Sequence, residues 1–375
     1  MINQKRLIAE FMELVQVDSQ TKQEQAISAV LKQKFAGLGL TWAEDDAASI
    51  TGHGAGNLIV TFPASEGVQA EKIFFTSHMD TVAPGNGIKP QLDEDGYIRS
   101  DGTTILGADD KAGIAAMLEA IRVLQEQSIP HGQIQLVITV GEESGLVGAQ
   151  ALDVSKLDAA FGYAIDSNGS IGDIAVAAPT QAKVDIEIFG KSAHAGVNPQ
   201  DGISAFEVAA AAIAAMPLGR VDEETTANIG KIEGGGATNV VCDYVKIVAE
   251  ARSLVQHKLD SQVEAMRQAV KEAADRFGAR GEVHARTAYP AYQYEDSDRV
   301  VQFAKRAITS IGLTPRTFRS GGGSDANIFN GFGVPTVNLS VGYENIHTTK
   351  EQIKAADLAK LAELVLAIIK QAAVQ

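Results

Sequence analysis

The sequence predicts an α/β protein in two parts, a layered unit with a mixed, largely parallel sheet and an inserted α+β unit of the ferredoxin-like kind. Three observations predict it. Short apolar runs alternate with helical periodicity in the first and last thirds of the chain. The middle third changes rhythm to half-exposed strands in the order β-α-β-β-α-β. At 375 residues the chain is also longer than a single hydrophobic core usually grows. The expected division is 1–178 with 292–375 for the outer unit and 179–291 for the insert.

Taken in order, apolar residues recur at helical spacing over 5–38. The opening MINQKRLIAEFMELV is charged and amphipathic without an uninterrupted apolar stretch, so a first helix is expected there and not a signal peptide. Residues 57–62, 72–78 and 134–140 are short apolar runs that suit buried strands. Between the last two, 110–127 places Ile114, Met117, Leu118, Ile121 and Leu124 on one helical face. A further strand, 159–165, ends at Asp166. In the insert, strands are expected at 182–189, 226–234, 240–252 and 282–289, with helices at 203–216 and 259–277. The outer unit then resumes with a helix at 300–311, a buried strand at 336–342 and a closing helix at 358–373.

Composition narrows the function. With 45% hydrophobic and 21% charged residues the chain is expected to fold into a globular protein. Against 47 Asp and Glu stand 32 Lys and Arg, a net charge of −15 that disfavours nucleic acid and anionic membranes as partners. No apolar stretch is long enough to span a bilayer. A lone cysteine, Cys242, excludes an intrachain disulfide, and a cytoplasmic location is expected.

In open α/β sheets ligands bind beyond the carboxyl ends of the strands. Here one strand ends in His78-Met79-Asp80, another runs into Gly141-Glu142-Glu143, a third ends at Asp166, and the last leads to His347. Asp109 and Asp110 sit in LGADDKAG, at the start of the 110–127 helix. Imidazole and carboxylate oxygen are the donors that zinc accepts. Blander readings exist for each piece: Asp109 and Asp110 could be helix caps, and Glu142 and Glu143 a solvated loop. Adjacent glutamates after a buried strand would nonetheless repel each other without a cation, and no Lys or Arg stands beside them. GHGAGN (52–57) precedes a strand, where a dinucleotide loop must follow one, so it is set aside. His53, His131, His257 and His284 match no motif and read as surface or domain-local residues.

The series SHMDTV, GADDKAG, GEESGLVGA, AID, GKSAHAG, GGGATNVV and GGGSDA, with the late His347, resembles the M20 metallopeptidases and, within them, the peptidase T group. The resemblance covers nearly the whole chain. It implies a zinc-peptidase-type catalytic domain holding two Zn2+ per subunit, with Co2+ or Mn2+ as substitutes, bridged by one carboxylate and one water. By this resemblance His78 and Asp166 hold one metal, Glu143 and His347 the other, and Asp109 bridges them. Asp80 orients His78, Glu142 is the general base, and the peptide bond between Asp109 and Asp110 is cis. The insert is expected to act as a lid and dimerisation domain that closes over the substrate through connections near 177–181 and 289–295.

From the insert, His194 would polarise the scissile carbonyl, in dimeric members from the partner subunit. Asn239 and Arg252 would bind the substrate backbone and terminal carboxylate, although Arg252 also reads as a surface ion-pair partner. Gly321, Gly322 and Gly323, before Ser324 and Asp325, resemble a substrate-side loop. The implied activity is release of the N-terminal residue of a short peptide, by resemblance a tripeptide. Asp166 favours it, since some deacylase branches carry Glu there. A deacylase or carboxypeptidase on the same fold is the alternative. A non-catalytic peptide-binding protein is another, which the intact Glu142 opposes. A homodimer through the lid is possible, with the alanine-rich helix as its packing face.

Overall fold

β-Branched and aromatic side chains pack well on a pleated surface that is covered on both faces. In the computed structural model, which describes residues 1–373, the strands Ile73–His78 and Ile134–Thr139 are accordingly buried at every position. The main sheet runs in the order Thr41–Glu44, Leu58–Phe62, Ile134–Thr139, Ile73–His78, Phe161–Ser167, Thr336–Ser340 and Asp173–Ala178. Its centre is parallel, from Ile134–Thr139 through Ile73–His78 and Phe161–Ser167 to Thr336–Ser340. The flanking pairs are antiparallel. The three parallel connections bring the carboxyl ends of the central strands to one edge, where the polar residues collect.

The chain divides into two compact units. One comprises Met1–Ala177, Tyr294–Ser320 and Ser324–Gln375, the other Ala178–Gln293 with Gly321–Gly323. In the first, the helix Ala108–Glu126 is buried along almost its whole length beside the helices Gln4–Val15 and Ala355–Ala373. A Leu→Ala change at Leu118, which is fully buried in this cluster, is expected to cost about 2–5 kcal/mol.

In the second unit the sheet order is Gly219–Arg220, Thr225–Gly234, Tyr244–Ser253, Thr180–Phe189 and Arg280–Tyr289, antiparallel throughout. The helices Ala205–Ala215 and Gln256–Phe277 cover one face. Val184, Ile186, Ile188, Val245 and Ile247 point into that contact, while the intervening residues are partly exposed. This period-two alternation is the signature of a sheet with one covered face.

Some elements differ from expectation. Residues 5–38 form two helices, Gln4–Val15 and Gln25–Gly37, and between them Gln20 bridges to Thr81. The break falls where Val17, Asp18, Ser19 and Thr21 concentrate β-branched and short polar side chains that disfavour helix, and Lys22 adopts a positive φ of 77°. Asp166 lies within its strand, and Ser167 follows it in the ladder. The strands Asp173–Ala178 and Arg316–Arg319 were not expected, the first being rich in alanine, a weak strand former. Among the described residues no helix is long and apolar enough to cross a membrane.

Candidate metal centre

His78 closes a strand whose neighbour in register is Thr139, so the next residues of both strands emerge side by side. The Asp80 carboxylate then accepts the backbone N–H groups of Glu142 (3.1 Å) and Glu143 (3.3 Å). It also lies 3.4 Å from His78 Nδ1, although that nitrogen is nearer the Asp80 carbonyl, at 3.0 Å. Asp80 thus ties the histidine strand to the glutamate turn. Burial opposes its ionisation, but His78, Thr21 and the Glu142 N–H hold its pKa below the usual carboxylate range.

With Nδ1 engaged, His78 presents Nε2 to Asp109 Oδ1 at 3.1 Å and to Asp166 Oδ1 at 3.8 Å. The other oxygen of Asp109, Oδ2, lies 3.2 Å from His347 Nε2, which is itself 2.9 Å from Glu143 Oε1. One carboxylate therefore faces two donor sets, His78 with Asp166 and His347 with Glu143. In each set, Asp109 included, the donor atoms lie within 4.8 Å of one another. The peptide bond between Asp109 and Asp110 is cis, and both residues depart from helical φ/ψ at the start of their helix.

Each donor is aimed by local structure. Between Asn338 and Ser340 the register of the last strand shifts against its neighbour, giving the neighbour one extra residue, a β-bulge beside Asp166. Asn338 clamps the Asp166 backbone with two hydrogen bonds, at 3.0 and 2.9 Å. Tyr343 donates its hydroxyl to Asp166 Oδ1 at 3.2 Å. His347 has a φ of 61°, a left-handed conformation that a non-glycine residue adopts only when its surroundings impose it. Gly113, one turn into its helix, approaches Asp110 and Ser77 so closely that a Cβ would lie 2.8 Å from Asp110 Oδ1.

The electrostatics suit divalent cations. Five carboxyls, from Asp80, Asp109, Glu142, Glu143 and Asp166, meet two imidazoles, an anionic excess of the kind that zinc or a similar ion neutralises. Burial, followed by the charges of Asp109, Glu142 and Asp110, pushes the Asp166 carboxyl well above its usual range. Burial does the same to Glu142, with Asp325, Glu143 and Asp109 adding to it. Hydrogen bonds to Asp109 and Glu143 raise His347 to about 10. The donor types and the shared carboxylate fit two metal ions.

His194, Asn239 and Arg252 belong to the second unit. His194 and Asn239 are exposed, and the Ala195 N–H donates to the Asn239 carbonyl at 2.9 Å. His194 Nδ1 accepts the N–H groups of Gly196 (3.1 Å) and Val197 (3.2 Å), which leaves the ring proton on Nε2. Arg252 donates through Nε to Glu250 at 2.8 Å, so the ion-pair reading describes part of its surroundings. The glycines 321–323 group with this unit, and a Cβ on Gly323 would lie 2.3 Å from the Tyr289 ring. In the same sheet Glu187, Glu282 and His284 form a further acid–histidine group, but the Tyr244 hydroxyl and Arg280 already engage its carboxylates.

Several residues around the centre were not linked to it from the sequence. Glu351, buried, accepts the N–H groups of Leu106, Gly107 and Asp109 at 2.8, 2.8 and 3.0 Å, fixing the loop that delivers Asp109. Burial raises its carboxyl to about 7 against those hydrogen bonds. Lys111, fully buried, donates to Ser19 at 2.6 Å and is lowered to about 8 by burial. Asp325 turns inward to accept the Thr139 hydroxyl at 2.5 Å. His53, read as a surface or domain-local residue, is buried within hydrogen-bond distance of Ser144, next to Glu143. That correction has a physical cause: the contact spans 91 residues of sequence and leaves no local pattern.

Comparison with known proteins shows the family. Residues 74–371 match the family described as peptidase family M20/M25/M40. The crystal structure of aminopeptidase PepT from Bacillus cereus ATCC 10987 is 60% identical over 99% of both chains, with a TM-score of 0.91. That of a tripeptidase from Staphylococcus aureus subsp. aureus Mu50 is 51% identical over the whole of both chains, with a TM-score of 0.96. Peptidase T of Geobacillus kaustophilus is 29% identical over 84% of this chain and 85% of its own. The strand-end histidines and carboxylates thus stand in a chain that belongs to peptidase family M20/M25/M40 and is similar to peptidase T.

Proposed function

We propose that the chain is a di-zinc aminopeptidase that releases the N-terminal residue of short peptides, tripeptides foremost. One observation carries the reading: Asp109 directs one oxygen to His78 and the other to His347, so that two donor sets share a single carboxylate. His78 and Asp166 would hold one ion and Glu143 and His347 the other, with Asp109 common to both. Two zinc ions there would supply Lewis-acid polarisation of the scissile carbonyl and a water acidified towards neutral pH.

The remaining roles fall to side chains of this chain. Glu142, whose burial and acidic neighbours raise its proton affinity, takes a proton from the attacking water and passes it to the leaving amine. Asp80 holds the backbone of Glu142 and Glu143 in place for this. His194, its ring proton on Nε2, would donate to the carbonyl oxygen, and Asn239 and Arg252 would bind the peptide backbone and its terminal carboxylate. The similarity to a tripeptidase and to aminopeptidase PepT favours this substrate over N-acyl amino acids.

The reading extends to a cytoplasmic homodimer formed through the second unit, which would act as the lid. Supporting it, the helix Ala205–Ala215 exposes Phe206, Ala210 and Ala214 as a stripe at four-residue spacing. Ile232 and Val240 are also exposed, and Phe206 lies against Gly235 at the end of the Thr225–Gly234 strand. An apolar stripe beside a sheet edge suits a second copy of the same unit.

The test is hydrolysis of a free-amine tripeptide beside its N-acetylated form, followed by mass spectrometry after chelation and zinc reconstitution. Zinc-dependent loss of the N-terminal residue from the free peptide alone is expected. Removal of the acetyl group or of the C-terminal residue would move the function to the deacylase or carboxypeptidase branch.

A further inference from the structure

We infer that His53 is a positioning residue for the turn that carries Glu142 and Glu143, a second hold on it besides that of Asp80. The inference rests on the role of that turn proposed above. It starts from the hydrogen bonds of the ring. The Thr51 hydroxyl donates to the Ala47 carbonyl at 2.7 Å, so its single proton is spent. Thr51 Oγ1, 2.9 Å from His53 Nδ1, must then accept, which places the proton of the neutral ring on Nδ1 and the lone pair on Nε2.

Nε2 faces two hydroxyls, Ser144 at 3.0 Å and Thr21 at 3.4 Å. The Thr21 side chain also hydrogen-bonds Asp80. Its one proton goes to that carboxylate, which leaves Ser144 as the hydroxyl able to donate to the ring. The Ser144 proton is shared between two acceptors at equal distance, His53 Nε2 and the Gly141 carbonyl, each 3.0 Å from Oγ, so the ring, Ser144 and Gly141 form one small loop of contacts next to Glu142 and Glu143. The ring packs so tightly under the turn that a Cβ on Gly141 would sit 2.4 Å from Nε2, and Gly141 has a φ of +58°. Glycine is required there on both counts.

The turn is therefore held by two sets of contacts. Asp80 takes the N–H groups of Glu142 and Glu143, and His53 supports Gly141 and Ser144, the residues that flank them. Thr21 joins the two grips by touching both Asp80 and His53. The segment bearing Thr21 is itself pinned, since the Thr21 N–H donates to the Thr81 carbonyl at 3.0 Å and buried Glu24 accepts the N–H groups of Lys22 and Gly54. Loss of the ring's acceptor would leave the carboxyls of Glu142 and Glu143 in place but free to drift from their productive orientation.

The experiment compares His53→Leu, His53→Gln and Ser144→Ala with the wild type, reading kcat and KM on a free tripeptide and zinc affinity by titration calorimetry of the chelated protein. His53→Leu is expected to lower kcat about 10–100-fold with KM unchanged, and to weaken one of the zinc equivalents, the one that uses Glu143. Glutamine reaches about as far as Nε2 and can accept the Ser144 hydroxyl, so His53→Gln should recover most of both losses. Ser144→Ala, at an exposed position, removes the same link without opening the core and should reproduce the kcat loss in weaker form. Wild-type kcat and zinc affinity in Ser144→Ala and in a folded His53→Leu overturn the inference. So do equal losses in the leucine and glutamine variants, which would mark His53 as packing alone. If the wild type cleaves no tripeptide, the proposed function fails by itself, and the zinc titrations still decide the role of His53.

Discussion

In the first unit His78 and Asp109 lie buried and interlocked side chain to side chain, whereas in the second His194 and Asn239 stand exposed on two loops joined to each other through the backbone. Under the proposed function the contrast separates two tasks. Holding metal demands donors fixed in advance, because drift in any ligand weakens the whole set. Gripping a substrate can be left to side chains that become ordered when it arrives. Glu250 shows an intermediate case, since it fixes Arg252 through Nε and is itself held by Gln181 at 2.6 Å and Lys183 at 3.3 Å.

The contrast can be broken at several points. Glu142→Gln should have the largest effect, removing the proposed base without disturbing the donors, and is expected to lower kcat about 10²–10⁴-fold with both zinc equivalents retained. Turnover at the wild-type rate would remove Glu142 from the mechanism. His194→Ala should come next, lowering kcat about 10²–10³-fold through loss of a donor to the carbonyl oxygen, again with zinc binding unchanged. A change in zinc affinity in this variant would collapse the distinction between the two units.

A smaller effect concerns pH. The His347 pKa is raised to about 10 by its hydrogen bonds to Asp109 and Glu143, so in zinc-free protein the ring carries a proton at neutral pH. A raised histidine contributes stability that is fully present below its unfolded pKa, near 6.5, and is lost as pH rises through about 10. His347 is half exposed on its side chain, so solvent screening keeps this contribution small. Zinc must displace that proton. Binding should therefore release protons and tighten between about pH 6 and about pH 9, measurable by calorimetry in buffers of different ionisation enthalpy. Affinity that is flat over this range would contradict the proton on His347.

The parts of the centre that can be read from sequence are those that end elements. His78, Glu142, Glu143 and Asp166 stand where an apolar run stops, and a continuous apolar run followed by charge marks the end of a strand buried on both faces. The supporting residues carry no such mark. Glu351 reaches Leu106 across 245 positions, and His53 reaches Ser144 across 91, so only the folded chain makes them neighbours. Within the fold, long apolar runs such as Ile134–Thr139 were legible because burial on both faces selects Ile, Leu and Val. The alanine-rich Asp173–Ala178 strand was not, because its place in the sheet comes from its neighbours and not from its own propensity. Asp166 was located by its motif, but the bulge that aims it emerged only from the register of the Thr336–Ser340 strand.

The sharing of Asp109 between two donor sets is tested most directly by titrating zinc into chelated wild-type protein and into Asp109→Ala, with calorimetry and elemental analysis of the stoichiometry. The account predicts two tight equivalents per chain in the wild type and weakened binding of both in the variant. A single equivalent in the wild type, or two undiminished equivalents without Asp109, would contradict it.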